Sequence, residues 1–345
     1  MTLHDVARRV GVAHITVSRA LRHSANVSEP LRQQIVKMAA EMGYRPNPAA
    51  AALTHFRLNS KTKPIQAVLA WLNFWTEPKE LHQHPLFAAN WKGAAAAAEA
   101  VGYRVEEFVC GGWVLPPQKL QTILAARGIQ GILLAPQRPP ITQEDFDFDW
   151  SRFAVIRLGR SVPYPPAHVV SHSQAHDAYE ACREIRQRGY RRIGFVTVEA
   201  IRHNGLLDAG FLKAQSMAAK KDQVPMLVLG KDWTPATAEV LAKIDFWMKK
   251  YRPEAILSTE SNMKTLLGAA GYRVPEDVAL AATSVSNSEV DAGTYENPEE
   301  VGRIAVQSLV GLIQRNEFDV PAFPQDILVR GKWQDGASLP SRAGI

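Results

Sequence analysis

The first 53 residues restrict most strongly what this chain can fold into. Apolar residues recur at helical spacing over Leu3–Val10, with Thr2 in position to cap the helix and Asp5 three residues later. Gly11-Val12 then forms a turn. A second helix is predicted over His14–Arg22, and a third begins after the cap Ser28, with Glu29 and Pro30 in its first turn, and ends at Gly43.

Two short helices joined by a tight turn and braced by a third match the helix-turn-helix plan. In that plan the second helix enters the major groove of DNA with its N-terminal residues at the base edges. Here those residues are His14, Ile15 and Thr16, followed one turn later by Ser18 and Arg19. Arginine can bond to guanine with two hydrogen bonds, isoleucine can contact a thymine methyl, and the hydroxyls suit phosphates.

The charge distribution agrees with a DNA-binding head. Residues 1–63 contain ten Lys and Arg against three acids, a net charge of +7, whereas the whole chain carries +6. The remaining residues therefore carry about −1, so the excess of positive charge belongs to the head. Binding to DNA phosphates requires such an excess of positive charge on the DNA-binding part of the chain. The alternative is a small helical bundle with a solvated basic face.

The head resembles the LacI/GalR family, the lactose-repressor-like regulators. The matching motifs are T-L-x-D-V-A, G-V-A-x-x-T-V-S-R, V-S-x-x-x-R-x-x-I and G-Y-x-P-N-x-x-A-x-x-L. The resemblance implies a dimer on a pseudo-palindromic operator. It also implies a hinge helix from Asn47 that folds only on DNA and wedges Leu53 into the minor groove; an ordinary Pro/Ala linker is the alternative. The predicted DNA-binding residues are Thr2, His14, Ile15, Thr16, Ser18, Arg19, Asn26, Asn47, Ala50 and Leu53.

The body alternates buried strands, the first predicted over Gln66–Trp71, with helices, and this pattern predicts doubly wound parallel sheets. Weaker resemblances to the same family continue along the body, such as R-G-Y-R-R-I-G-F at 188–195 and Y-R-V-P-E-D at 272–277. They imply a two-lobed α/β body like the periplasmic binding proteins, with three crossovers. The predicted domains are a helix-turn-helix head at 1–46, a hinge helix and linker at 47–63, an N-lobe at 64–168 with 294–323, and a C-lobe at 169–293 with 324–345.

Ligands of such sheets bind at the carboxyl ends of the strands. There the aromatic residues could stack on a sugar while polar groups take its hydroxyls; the tryptophans could equally be lobe or dimer contacts. The predicted effector-binding residues are Trp71, Phe74, His84, Phe87, Gln137, Arg160, His172, Arg202, His203, Glu260 and Ser284.

The same region departs from the family pattern. Leu207 stands where relatives commonly have an arginine, Thr259-Glu260-Ser261 replaces A-N-D, and Ser284-Val285 replaces an acidic pair. In relatives those charged groups hold sugar hydroxyls, so an ordinary hexose or pentose is disfavoured. Arg202, His203 and Glu260 could replace them for a different or charged ligand. Alternatively, the cleft is insensitive to ligands.

Other chemistries find little support in the sequence. The two cysteines, Cys110 and Cys182, are far apart. The four-residue spacing of the histidines at 168, 172 and 176 would align them on a helix, but Val169-Val170 indicates a strand, so no metal site is predicted. No phosphate-binding loop or nucleophile elbow occurs. We predict no cofactor and no enzymatic activity. No apolar run of 18 residues and no signal peptide is present, so a cytoplasmic location without membrane contact is expected.

Together these features predict a dimeric transcription regulator, by analogy a repressor, that binds operator DNA and responds to a sugar-like metabolite between its lobes. Two rivals remain open. One is the same architecture controlled by a protein partner or by nothing. The other is a cytoplasmic solute-binding module or enzyme whose basic head is incidental.

Overall fold

The computed structural model describes residues 3–21, 27–42, 67–110, 115–137, 147, 149–161, 164–202, 205–231 and 236–342. The predicted hinge and linker at 47–63 lie outside these residues. Within the described ranges, no helix has both the length and the apolar character needed to cross a membrane.

Three helices form the head: α1 (Leu3–Val10), α2 (His14–Leu21) and α3 (Glu29–Glu41). Their shared core contains Val6, Val17 and Ile35, each completely buried. The periodicity of the sequence thus located both the helices and their inward faces. Ser28 precedes α3 as expected, but its side chain makes no capping hydrogen bond.

The first sheet of the body is entirely parallel and has six strands. They are β1 (Ala67–Asn73), β2 (Tyr103–Val109), β3 (Gly131–Leu134), β4 (Ala154–Leu158), β5 (His168–His172) and β11 (Asp326–Val329), in the spatial order β11-β5-β4-β3-β1-β2. The helices of this lobe are α4 (Pro78–Gln83), α5 (Pro85–Ala100), α6 (Pro117–Ala126) and α12 (Pro298–Arg315). The central strands are buried along most of their length because helices cover both faces.

The second sheet also has six strands, and only its edge strand β12 runs antiparallel. Its members are β6 (Ile193–Thr197), β7 (Leu227–Val228), β8 (Ala255–Ser258), β9 (Ala279–Ala282), β10 (Gly293–Tyr295) and β12 (Lys332–Gln334), in the order β12-β10-β9-β8-β6-β7. Its helices are α7 (Gln174–Gln187), α8 (Glu199–Arg202), α9 (Leu206–Ser216), α10 (Ala238–Tyr251) and α11 (Met263–Ala269). The expected two-lobed α/β body with parallel sheets is therefore present.

Alternate residues of each strand pack on opposite faces of the sheet. In β1, Leu69 and Trp71 belong to one core cluster and Ala70 and Leu72 to another. The first cluster lies beneath α5 and α12, which cover the same side of the sheet. This parity fixes which side chains of a strand enter the core and which reach the other helical layer.

Three connections join the lobes, and they correct the predicted lobe boundaries. The proposed boundary at 168 falls at the start of β5, yet β5 pairs with β4 and belongs wholly to the first sheet. Strand β11 also pairs with β5, although 324–329 was assigned to the C-lobe. Conversely, Gly293–Tyr295 pairs with β9 in the second sheet. The chain therefore crosses at about 173, 296 and 330, because strand pairing rather than sequence analogy defines each lobe.

Candidate functional site

A cavity of about 280 Å³ lies between the two lobes, at the carboxyl ends of the parallel strands. Open α/β sheets bind ligands at this edge. Both lobes contribute to the wall. The lining residues are His84, Leu86, Phe87, Asn90, Pro136, Gly159, Arg160, Ser161, Ser171, His172, Gln174, Ala200, Ile201, Leu207, Thr259, Thr283, Ser284, Asn287, Glu296, Pro298 and Val301.

The start of α5 forms an aromatic and apolar part of this wall. His84 precedes Pro85 at the helix start, and its ring stacks on Phe87 with 4.1 Å between ring centroids. Trp75 then contacts the edge of Phe87 at 6.0 Å. One turn further along α5, Asn90 faces the cavity, and its buried Oδ1 has no hydrogen-bond partner among the described residues. An unsatisfied buried acceptor is costly, so a donor from a ligand would be stabilised there.

Two further lining residues of the first lobe, Arg160 and His172, follow β4 and end β5. Arg160, after β4, pairs with Asp326 at the start of β11, with 2.9 Å between Nη2 and Oδ2. His172 ends β5, and burial together with the neighbouring Arg160 lowers its pKa to about 4. The imidazole is therefore uncharged at neutral pH, and Arg160 has a carboxylate partner before any ligand arrives.

Among the described residues that line this cavity, Glu296 is the one carboxylate. It follows β10 at the second connection between the lobes and is only 2% exposed. Ser286 donates a hydrogen bond to its Oε2 at 3.3 Å. Burial raises the pKa of the Glu296 carboxyl to about 7, while the nearby hydroxyls of Ser284 and Ser286 oppose that rise. The carboxyl group is thus close to the balance between its charged and neutral forms.

Five predicted effector residues line the cavity: His84, Phe87, Arg160, His172 and Ser284. Three others from the first lobe do not. Trp71 is completely buried in the core and makes an edge contact with Trp91, because β1 continues two residues beyond it to Asn73. The expectation that Trp71 ends its strand was wrong.

Phe74 and Gln137 instead fasten the loops after β1 and β3 to each other. The Gln137 side chain accepts a hydrogen bond from the Phe74 backbone N–H at 3.2 Å and donates to the Leu72 carbonyl. The Gln137 backbone N–H donates to Ser161 Oγ at 2.9 Å. Phe74 and Gln137 thus connect the loops after β1 and β3, and neither side chain lines the cavity.

Two predicted residues of the second lobe, Arg202 and Glu260, do not line the cavity. Arg202 forms ion pairs with Asp208 at 2.6 Å and Glu199 at 2.9 Å, and the wall is formed by its neighbours Ala200 and Ile201. Glu260 is 4% exposed and is not part of the lining, whereas Thr259 is. His203 lies outside the described residues. Arg202 and Glu260 therefore do not stand where the missing family charges would be needed.

Several lining residues do not stand out in the sequence. Asn90 was not considered because it lies inside a helix rather than at a strand end. Glu296 follows β10, a strand of three residues that the sequence pattern did not reveal. The strand-end rule would have selected Glu296 once β10 was recognised. The hydroxyls of Ser161, Ser171, Thr259 and Thr283 carried no distinguishing signal.

The head presents the expected helix-turn-helix backbone. Gly11 has a positive φ of 78°, and the Gly11 and Val12 N–H groups both donate to the Ala7 carbonyl, which closes the turn between α1 and α2. Thr16 is half-buried. The backbone positions of His14, Ile15, Ser18 and Arg19 lie on α2, but their side chains lie outside the description. Thr2, Asn26, Asn47, Ala50 and Leu53 lie outside the described residues altogether.

Two family models match the chain. Residues 2–47 match the bacterial regulatory proteins of the lacI family, and residues 182–339 match a periplasmic binding protein-like domain. The first match covers the head, and the second covers most of the second lobe together with α12 and β11 of the first lobe.

Curated relatives of two kinds are similar to this chain. The HTH-type transcriptional regulator GntR of Pseudomonas aeruginosa is 52% identical over 59 residues, and the match spans only 17% of either protein. The HTH-type transcriptional regulator CelR of Thermobifida fusca is 25% identical over 325 residues, which cover 90% of this chain and 92% of CelR. The short match is strong and the long match is weak.

Solved structures of similar fold extend over the whole chain. A complex of the transcriptional regulator CelR with cellobiose has a TM-score of 0.58 at 20% identity and covers 98% of this chain and 99% of CelR. The lac repressor dimer bound to operator and the anti-inducer ONPF has a TM-score of 0.53 at 16% identity and covers 99% of both chains. At these identities the likeness establishes the fold.

The fold, the head and these matches define a DNA-binding transcriptional regulator rather than an enzyme. The chain has a helix-turn-helix head of the lacI type and a periplasmic-binding-protein-like body, and the proteins similar to it are transcriptional regulators.

Proposed function

We propose that this regulator acts as a cytoplasmic homodimer that represses transcription by binding a pseudo-palindromic operator. In this proposal, α2 of each protomer reads one half-site in the major groove through His14, Ile15, Thr16, Ser18 and Arg19. The hinge residues Asn47, Ala50 and Leu53 pair across the dimer and open the minor groove. The basic head supports the DNA contact, and the operator-bound dimer of the lac repressor supports the assembly.

A small molecule in the interlobe cavity is proposed to control operator binding. The observation that carries the proposal is the cavity of about 280 Å³ that both lobes line, with an apolar helix start on one side and hydroxyls on the other. A ligand bridging the lobes shifts their equilibrium only if it binds one arrangement more tightly. The cellobiose complex of CelR shows a sugar bound to a regulator of the same fold.

Selection of random duplex DNA by the purified full-length protein tests operator binding. We expect recovery of a two-fold symmetric site with a central pyrimidine–purine step, since such steps kink readily. Arg19→Ala should then cost about 1–3 kcal/mol of binding at one base position and relax specificity there.

Lys37→Ala is the matched control, because it removes one positive charge from an exposed position of α3. It should weaken binding to all sequences alike or leave binding unchanged. Recovery of unspecific DNA alone, or retention of full specificity by Arg19→Ala, would contradict the proposed readout.

Screening with sugars, sugar phosphates and nucleosides separates small-molecule control from its rivals. A compound that stabilises the protein and changes its affinity for the selected operator would support the cavity as the effector site. A protein that binds its operator and responds to none of them would be controlled by a protein partner or be insensitive to effectors.

A further inference from the structure

The charge balance of the interlobe cavity carries information about its ligand. Glu296 is 2% exposed, and no Lys, Arg or His of the described chain forms an ion pair with it. The groups that act on it are the hydroxyls of Ser284 and Ser286 and the carboxylate of Asp177, which disfavours its ionisation. A buried carboxylate without a cation is costly, so a positively charged ligand group would be stabilised at this position.

The other charged groups near the cavity do not supply that partner. Arg160 pairs with Asp326. His172 is neutral, because burial lowers its pKa to about 4. Asp177, from α7, is 5% exposed and accepts the Gly331 N–H at 3.0 Å. Burial raises the pKa of Asp177 to about 6, and the Gly331 hydrogen bond and the nearby Arg330 oppose that rise. Arg160 and Arg330 therefore lie beside Asp326 and Asp177 rather than beside Glu296.

The surroundings of Glu296 also restrict the rest of the ligand. Asn90 presents an unsatisfied carbonyl oxygen to the same cavity, and this acceptor favours an N–H or O–H donor. Phe87 and Val301 form an apolar wall, while Thr259 and Thr283 offer hydroxyls. An anionic ligand would meet a carboxyl group and an amide oxygen without a free cation among the described residues.

We propose that the cavity selects a hydroxylated small molecule that carries a basic nitrogen, and that Glu296 is the specificity-determining residue, pairing with the ammonium group. This ligand class rests on the proposed effector role of the cavity. Ligand binding is then linked to proton release, since the ammonium ion favours the charged form of Glu296. At neutral pH part of the Glu296 population must lose its proton when the ligand binds, because its pKa before binding is about 7.

Matched pairs of ligands test the selectivity directly. We would measure binding of D-glucosamine against D-glucose, D-galactosamine against D-galactose, and glucose 6-phosphate, to full-length protein by calorimetry at pH 7. An amine-bearing compound should bind at least tenfold more tightly than its hydroxyl partner, and the phosphate should bind least. Glu296→Gln should abolish the preference for the amine.

The control variant is Glu289→Gln, which removes one negative charge from an exposed position of the same lobe. It should keep the preference, so that a change of net charge is separated from the loss of the cavity carboxylate. Equal or tighter binding of the neutral or phosphorylated compounds would overturn the ligand class and leave the effector role standing. Binding by none of the compounds would overturn the ligand class and count against small-molecule control.

A second measurement needs no ligand. An acid whose folded-state pKa is raised contributes most to stability below its unfolded pKa, and the contribution is lost as the pH rises through the folded value. For Glu296 the loss therefore develops between pH 4.5 and about 7. Glu296→Gln should raise the Tm by a few degrees at pH 8 and leave it nearly unchanged at pH 4.5. A lower or equal Tm at pH 8 would mean that the carboxylate already has a partner, and would overturn the proposal.

Discussion

Two glycines determine how closely α5 and α12 pack at the cavity wall. A Cβ atom on Gly302 would overlap the backbone oxygen of Asn90, and one on Gly93 would overlap the backbone oxygen of Glu299. The two helices therefore touch backbone to backbone at the point where Asn90 faces the cavity. This contact sets the position of Asn90, although the sequence marks neither glycine as special.

Replacement of Gly302 by alanine should separate these helices. Because the added methyl group meets backbone atoms that cannot move aside, we expect a loss of about 1–3 kcal/mol in the free energy of unfolding. Urea denaturation would measure the loss. Gly311→Ala in the same helix is the matched control, since the atom nearest to its Cβ belongs to the flexible Arg315 side chain. It should be neutral or stabilising by up to about 1 kcal/mol. Equal effects of the two variants would contradict the close-packing argument.

Among the elements, α3 holds the head together. Ile35 is completely buried between the three helices, whereas its neighbour Val36 is 41% exposed. The small head has few other large apolar side chains in its core, so its helix-turn-helix geometry depends on this contact.

Ile35→Ala should cost about 2–5 kcal/mol, which is a large fraction of the stability of so small a unit. We expect DNA binding to be lost while the body keeps its thermal transition. Gel-shift assays would measure the first property and calorimetry the second. Val36→Ala should change both by little, as an exposed substitution. Normal DNA binding by Ile35→Ala would show that the head core tolerates a cavity there.

The observed length of β1 explains why the prediction for Trp71 failed. The sequence identified β1 as a buried strand but ended it at Trp71, two residues before its observed end at Asn73. A side chain reaches the cleft only from the carboxyl end of its strand, so the position of that end decides whether Trp71 lies in the core or in the cleft. The apolar run alone does not contain that length, which depends on pairing with β2 and β3.

At the scale of the whole molecule, backbone and side-chain contacts tie the three connections between the lobes together. The Ser173 N–H donates to the Val329 carbonyl at 2.8 Å, and the Asn297 side chain donates to the Arg330 carbonyl at 2.8 Å. Asp177 accepts the Gly331 N–H. The connection near 330 is thus hydrogen-bonded to residues near the connections at 173 and 296. A movement of one connection would therefore disturb bonds to the others.

The separation of charge between head and body leads to a prediction for the whole protein. Since residues 1–63 carry +7 and the rest about −1, operator binding should depend steeply on salt. If a dimer makes six to ten phosphate contacts, its affinity should fall by roughly 10³–10⁵ between 50 and 200 mM salt. Fluorescence anisotropy with labelled operator would measure the slope. Ligand binding to the cavity should change far less, because its charged groups are largely buried. A flat salt response for DNA would contradict the assignment of the basic head.

Features that depend on local periodicity and charge can be predicted from the sequence. Helical spacing located α1–α3 and their inward residues, the turn glycine Gly11 was recognised, and alternating strands and helices gave the class of the body. The tertiary structure alone decided which strand joined which sheet, and therefore where the lobes divide. It also brought Asn90 and Glu296, which are 206 positions apart, to one cavity. Residues so distant share a site only through strand pairing and helix packing, and a linear pattern records neither.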